Sequence, residues 1–158
     1  MSENSGFGAI RSMDYVIVLC NDLDRMQRFY RDIFGFCIAP YPGKNSIEDD
    51  ELGKWVGFRV GTLFLGLRPR GRPYDGPNIM DDSAAVQLSF RVPPADVDIA
   101  YQTLKDKGID VIEAPTNQDW CHRTLFFADP ENNVIEIYAD IHPRDAASVP
   151  STIHQVSA

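Results

Sequence analysis

The chain has 158 residues, enough for one domain, or two small halves sharing a core, with a sizeable apolar interior. Its 15 Lys and Arg against 23 Asp and Glu leave a net charge of −8, which argues against nucleic acid or a membrane surface as a partner, because phosphate binding draws on excess cationic side chains. With 44% hydrophobic and 24% charged residues the composition is that of a soluble globular protein, and a small molecule or another protein is the expected partner. Cys20, Cys37 and Cys121 are an odd number without C-x-x-C spacing, and nothing near Met1 pairs a charged stretch with a long apolar run. Reduced thiols acting as packing residues and a cytoplasmic location are therefore expected.

Residues 1–12 are small and polar enough for a flexible lead-in. The apolar, β-branched run from Met13 to Cys20 has the length of a buried strand, and alternation places Tyr15, Ile17 and Leu19 opposite Val16, Val18 and Cys20. Asn21 or Asp22 caps a helix whose apolar stripe is Leu23, Met26, Tyr30, Ile33 and Phe34, with Gly35 suited to its end. Phe36 to Tyr41 is a candidate short strand. The acidic, turn-rich stretch from Pro42 to Lys54 reads as an exposed loop or, more sharply, as a flap over a site. Trp55 to Val60 and Leu63 to Leu67 flank Gly61-Thr62, a two-residue hairpin signal. Residues 69–84, dense in proline, glycine and charge, are the expected linker, and the basic cluster Arg68, Arg70 and Arg72 is either part of a solvated connector or an anion site.

The order of elements then repeats. From Ala85 to Val92, apolar Val86, Leu88, Phe90 and Val92 alternate with polar Gln87, Ser89 and Arg91, the pattern of a strand with one wet face. Pro93 and Pro94 introduce a helix with Val97, Ala100, Tyr101 and Leu104 on one side, ended by Gly108, and Ile109 to Glu113 is a short strand. Thr124 to Ala128 and Val134 to Tyr138 form a hairpin around Asp129-Pro130-Glu131-Asn132-Asn133, where Pro130 suits the second position of a type I turn and Asn132 or Asn133 the left-handed conformation. Val134, Glu136 and Tyr138 share one face, so a carboxylate stands on an otherwise apolar wall, where charges are paired, hydrated or used. Strand, helix, strand and hairpin thus occur twice, at 13–68 and 85–141, within one ordered domain of 13–141. Residues 142–158 read as a weakly ordered tail.

Two βαβββ units, worded DLDRMQRFYRDIFGF in the first and WCHRTLFFADPENNVIEIYA in the second, resemble the vicinal oxygen chelate superfamily, which includes glyoxalase I, extradiol dioxygenases, fosfomycin-modifying transferases and bleomycin-resistance proteins. Asp22, Phe29-Tyr30, Gly35-Phe36, Asp129-Pro130, Asn133 and Glu136 match the family wording in order. The resemblance implies an α+β fold of two βαβββ modules forming a cupped mixed β-sheet cavity, helices outside, and a homodimer. The family's metal positions carry over to Tyr15, Gly66, Gln87 and Glu136. Tyr15 and Gln87 stand where histidine is common, Gly66 offers no side chain where a second carboxylate often stands, and Glu136 alone matches fully.

Strand faces and family positions together place Tyr15, Ile17, Phe64, Arg68, Gln87, Ser89, Arg91, Glu136 and Tyr138 on the expected ligand-binding wall, with Trp120, His122 and Arg123 near the last hairpin. Glu136, Gln87 and Tyr15 are the candidate catalytic residues. Glu136 reads as a metal ligand or general base, or else as the partner of Arg91 or Arg68 in an ion pair that would make it a poor base. Gln87 and Tyr15 are each either hydrogen-bonding groups or ligands, His122 is an acid, base, ligand or structural residue, and Trp120 stacks on a ligand or packs at the rim. Two functions are carried forward. One is a binding protein for a hydrophobic or aromatic small molecule, with no cofactor or only a weakly bound divalent metal. The other is a divalent-metal-dependent lyase, isomerase or dioxygenase, similar to lactoylglutathione lyase, whose ion is held by Glu136, Gln87 and a replacement such as His122.

Overall fold

The structure is a computed structural model that describes residues 7–40, 42, 44, 46, 54–76 and 86–148. The start of the lead-in, most of the acidic loop with its flap reading, the second part of the linker and the tail beyond 148 lie outside the described residues. By contacts the chain divides into two compact units, Met1–Ile79 and Met80–Ala158.

In the first unit β1 (Tyr15–Cys20) leads into α1 (Leu23–Asp32), and the hairpin of β2 (Val56–Val60) and β3 (Leu63–Pro69) completes a sheet of order β1-β3-β2, with β1 and β3 parallel. Asp22 starts the helix by accepting the Arg25 backbone N–H at 3.0 Å, satisfying one of the donors a helix leaves unpaired at its first turn. Gly35, at φ 70°, then turns the chain in a conformation other residues resist. The buried stripe of α1 is Leu23, Met26, Phe29 and Tyr30. Phe29 takes the place expected for Ile33, because the helix stops at Asp32 and leaves Ile33 as its half-buried cap. Against β3 this stripe builds an aromatic cluster: Tyr30 stacks on Phe34 at 5.5 Å, Phe34 on Phe36 at 5.0 Å, and the fully buried Phe58 lies 6.2 Å from Tyr30. Of the strand expected from Phe36 to Tyr41, the described residues 36–40 form one bridge between Ile38 and Phe58 plus the Ala39 N–H donating to the Gly57 carbonyl; Pro40 has no backbone donor, and Tyr41 lies outside the described residues.

The second unit is a sheet of order β4-β7-β6-β5 made of β4 (Gln87–Arg91), β5 (Val111–Asn117), β6 (His122–Ala128) and β7 (Val134–Asp140), with β4 and β7 parallel. α2 (Asp96–Asp106) packs on β5, β6 and β7 with Val97 and Leu104 buried. β5 runs past the expected end at Glu113, and Pro115 is tolerated in it because this strand is the sheet edge and already bulged. β6 starts at His122, so His122 and Arg123 belong to the strand and face opposite sides. The turn before β7 is organised by Asp129, 3% exposed, whose Oδ1 accepts the backbone N–H groups of Glu131 and Asn133 and whose Oδ2 accepts the Asn133 side-chain amide. Asn132, at φ 67°, supplies the left-handed residue. Among the described residues no helix is long and apolar enough to cross a membrane.

None of the three cysteines is in a disulfide. Cys20 is buried as expected, whereas Cys37 is exposed, just beyond the turn at Gly35, and Cys121 is half-buried at φ 65°. The packing role expected of all three therefore fails at Cys37.

Candidate functional site

In the first unit the ladder pairs Tyr15 with Phe64, Ile17 with Gly66 and Leu19 with Arg68, so these residues share the face that the alternation assigned to them. Two glycines make this face close-packed. A Cβ at Gly57 would lie 1.9 Å from Cζ of Phe64, so the ring occupies the space a side chain would need. Phe64 is consequently 1% exposed, a packing residue of the wall rather than a contact open to a ligand as expected. A Cβ at Gly66 would lie 3.1 Å from Cδ1 of Ile17, so hydrocarbon fills this place as well.

Beside this packed patch opens a cavity of about 430 Å³ lined by Tyr15, Ile17, Lys44, Trp55, Arg68, Arg72 and Tyr74. The segment read as either a solvated connector or an anion site builds part of it. Arg68 donates from both terminal nitrogens to Asp75, at 2.9 and 2.5 Å, and Asp75 also accepts the backbone N–H groups of Gly71 and Arg72. The Arg68 guanidinium, with these backbone donors, holds the Asp75 carboxyl well below the usual carboxylate range, and the same hydrogen bond raises Arg68 above its ordinary value. Tyr74 lies under two cations, with its ring centre 5.6 Å from the Arg68 guanidinium carbon and 6.0 Å from that of Arg72. Lys44, Trp55 and Tyr74 were not foreseen; the one available signal was the run Arg-Gly-Arg-Pro-Tyr-Asp after β3, whose Pro73 opens the short turn Pro73–Asp75.

In the second unit Gln87 pairs with Val134, Ser89 with Glu136 and Arg91 with Tyr138. Glu136 is 8% exposed, and the ion pair with Arg91, one of the alternatives for it, is not found among the described residues. Arg91 goes to Asp140 and Arg68 to Asp75. Glu136 Oε2 instead accepts the Ser89 hydroxyl and the Gln87 amide, the latter at 3.2 Å. A second cluster lies two rungs along. Tyr138 stacks on the His122 ring at 4.6 Å and lies 5.0 Å from the Arg91 guanidinium carbon, while Asp140 binds Arg91 on one side and faces His122 Nε2 at 3.3 Å on the other.

His122 is therefore not brought to Glu136. It pairs with Asp140, four residues along β7, about 13 Å of strand at roughly 3.3 Å per residue. Arg123 lies on the opposite face, bound to Asp98 of α2 at 3.0 and 2.7 Å and to Asn117; that hydrogen bond lowers the Asp98 carboxyl and raises Arg123. This replaces the ligand contact expected of Arg123. Trp120 sits in the turn before β6, 53% exposed.

The donor set fits a firmly held first-row metal poorly. Of the four carried-over positions, the first unit offers a phenol and a glycine, and the second an amide and a carboxylate already accepting two hydrogen bonds. Among the described residues no group of three or more His, Cys, Asp or Glu is placed to hold an ion.

Each unit is a strand, a helix and further strands, with its first and last strands parallel, an α+β arrangement. A profile of the glyoxalase-like domain family matches residues 13–142, and the chain belongs to that family. It is 23% identical over 133 residues to the glyoxalase domain-containing protein RDO1 of Mycosarcoma maydis, covering 82% of this chain and 68% of that one. It is likewise 23% identical over 129 residues to the metallothiol transferase FosB of Staphylococcus saprophyticus, covering 82% and 77%. Among solved structures, a glyoxalase/dioxygenase from Nostoc punctiforme shares the fold with a TM-score of 0.67 at 22% identity, covering 85% of this chain and 94% of that one.

Proposed function

We propose that the protein binds a hydrophobic or aromatic small molecule and does so without a firmly held metal. The observation that carries this reading is the cavity of the first unit, about 430 Å³, within the size range of small-ligand sites and walled by Tyr15, Trp55 and Tyr74. Tyr15 acts in it as wall and hydroxyl donor, while Glu136 and Gln87 serve as hydrogen-bonding groups of the second unit. The assembly we expect is a cytoplasmic homodimer, measurable by analytical ultracentrifugation.

A second reading keeps Glu136 as ligand or general base in a divalent-metal-dependent lyase, isomerase or dioxygenase. Its support is the buried carboxylate itself, together with a relative whose name is metallothiol transferase. Elemental analysis combined with a thermal-shift screen of aromatic compounds separates the two. Well under one zinc, nickel or iron per chain is expected, together with a melting-temperature rise from at least one aromatic compound that disappears in Trp55→Ala. About one firmly held metal per chain, lost in Glu136→Gln, would put the enzymatic reading in its place.

A further inference from the structure

We propose that the cavity of the first unit takes a planar aromatic ligand bearing an oxyanion, a carboxylate or a phosphate ester, with its ring against Tyr15, Trp55 and Tyr74 and its anion on Arg72. The proposal rests on the small-molecule reading above and adds the chemical class of the ligand. In a chain of net charge −8 with only 15 Lys and Arg, three cations line this one cavity. No carboxylate lines it among the described residues. The adjacent Asp75 is already engaged: it accepts both donors of the Arg68 fork and the backbone N–H groups of Gly71 and Arg72. Arg68 is thereby paired and held in place, whereas the Arg72 guanidinium donates through Nη1 to the Tyr74 hydroxyl at 2.7 Å. That contact positions the Arg72 fork without cancelling its charge, and a guanidinium has five donors to offer a planar oxyanion. The rings complete the site. Tyr74 is 71% exposed and Tyr15 42%, and exposed aromatic faces beside cations suit an anionic aromatic compound better than a cationic one, which Arg72 would repel.

The test is calorimetric titration of the full chain with 2-naphthoate, 1-naphthyl phosphate, the neutral 2-naphthylmethanol and inorganic phosphate, at low and high sodium chloride. At least one naphthyl anion is expected to bind about tenfold or more tighter than either the alcohol or inorganic phosphate, an advantage that shrinks as salt screens the charge. Arg72→Gln should remove that advantage, bringing the naphthyl anions to the affinity the same variant shows for the alcohol, and Trp55→Ala should weaken every naphthyl probe. Equal affinities for the naphthyl anions and the alcohol would overturn the oxyanion assignment while leaving the small-molecule reading intact. Inorganic phosphate binding as tightly as naphthyl phosphate would overturn the role of the rings. Absence of binding by all three naphthyl probes would overturn the inference as a whole, and the wider thermal-shift screen would then decide the small-molecule reading separately.

Discussion

In the first unit the parallel ladder runs Tyr15–Phe64, Ile17–Gly66, Leu19–Arg68, and in the second the corresponding rungs are Gln87–Val134, Ser89–Glu136, Arg91–Tyr138. The central rungs differ most. Ile17 reaches over Gly66 with hydrocarbon, whereas Ser89 donates to a carboxylate at Glu136. One backbone pairing therefore supports both a close-packed apolar wall and a buried carboxylate held by an exposed hydroxyl. Register decides where a side chain stands, and the residues filling the rung decide what chemistry that place offers. The first wall should be sensitive to added volume and the second to lost hydrogen bonds.

The largest effect is expected at Gly57. An alanine methyl would occupy the space of the Phe64 ring, whose neighbours leave it 1% exposed, so Gly57→Ala should cost about 3 kcal/mol or more in urea unfolding, at or above the upper end of overpacking penalties. A cost below about 1 kcal/mol would show that Phe64 has room to move and that the first wall is not tightly packed.

In the second unit Ser89→Ala removes an exposed hydroxyl donor and leaves Glu136 the Gln87 amide, a loss of about 0.5–1.5 kcal/mol because water reaches the vacated place. Replacing both partners, as Ser89→Ala with Glu136→Leu, should cost less than the single change, because no buried acceptor is then left short of donors. If the double variant is the less stable of the two, the polar rung contributes more than its own satisfaction, and the contrast between the walls is deeper than filling alone.

The smallest effect concerns pH. Asp75 titrates lower in the folded protein than unfolded, so the unfolded chain binds more protons on acidification. The Arg68–Asp75 contribution is therefore complete above about pH 4, the ordinary carboxylate value, and is lost as pH falls below it toward the depressed folded value. Asp98, lowered by Arg123, acts in the same direction in the second unit. Acid titration of stability should show a shallower decline in Asp75→Asn than in the unsubstituted protein. Identical acid limbs would mean that the pair in the first unit contributes nothing to the difference.

Much of the fold was legible locally. Alternation assigned Val18 and Cys20 to the buried face of β1 and Ile135 and Ile137 to that of β7, and Asp22, Gly35 and the Asp129–Asn133 turn marked element ends, since capping and turn geometry act over a few residues. The ends of β5 and β6 were misjudged, because strand length is settled by neighbouring strands rather than by the strand itself.

The pattern of side chains along each strand by itself determined which residues of this protein face which way, and with it the places of Tyr15, Gln87 and Glu136. The partners of the charged groups were decided only in three dimensions. Arg68, Arg91 and Arg123 could each have met several carboxylates in a chain holding 23, and the structure joins them to Asp75, Asp140 and Asp98, leaving Glu136 to Ser89 and Gln87. It likewise places Trp55 and Tyr74 beside Tyr15 around one cavity. The physical reason is range: a two-residue period is written in consecutive side chains, whereas an ion pair or a cavity wall depends on distances of a few ångströms between segments that meet only after the sheet has formed.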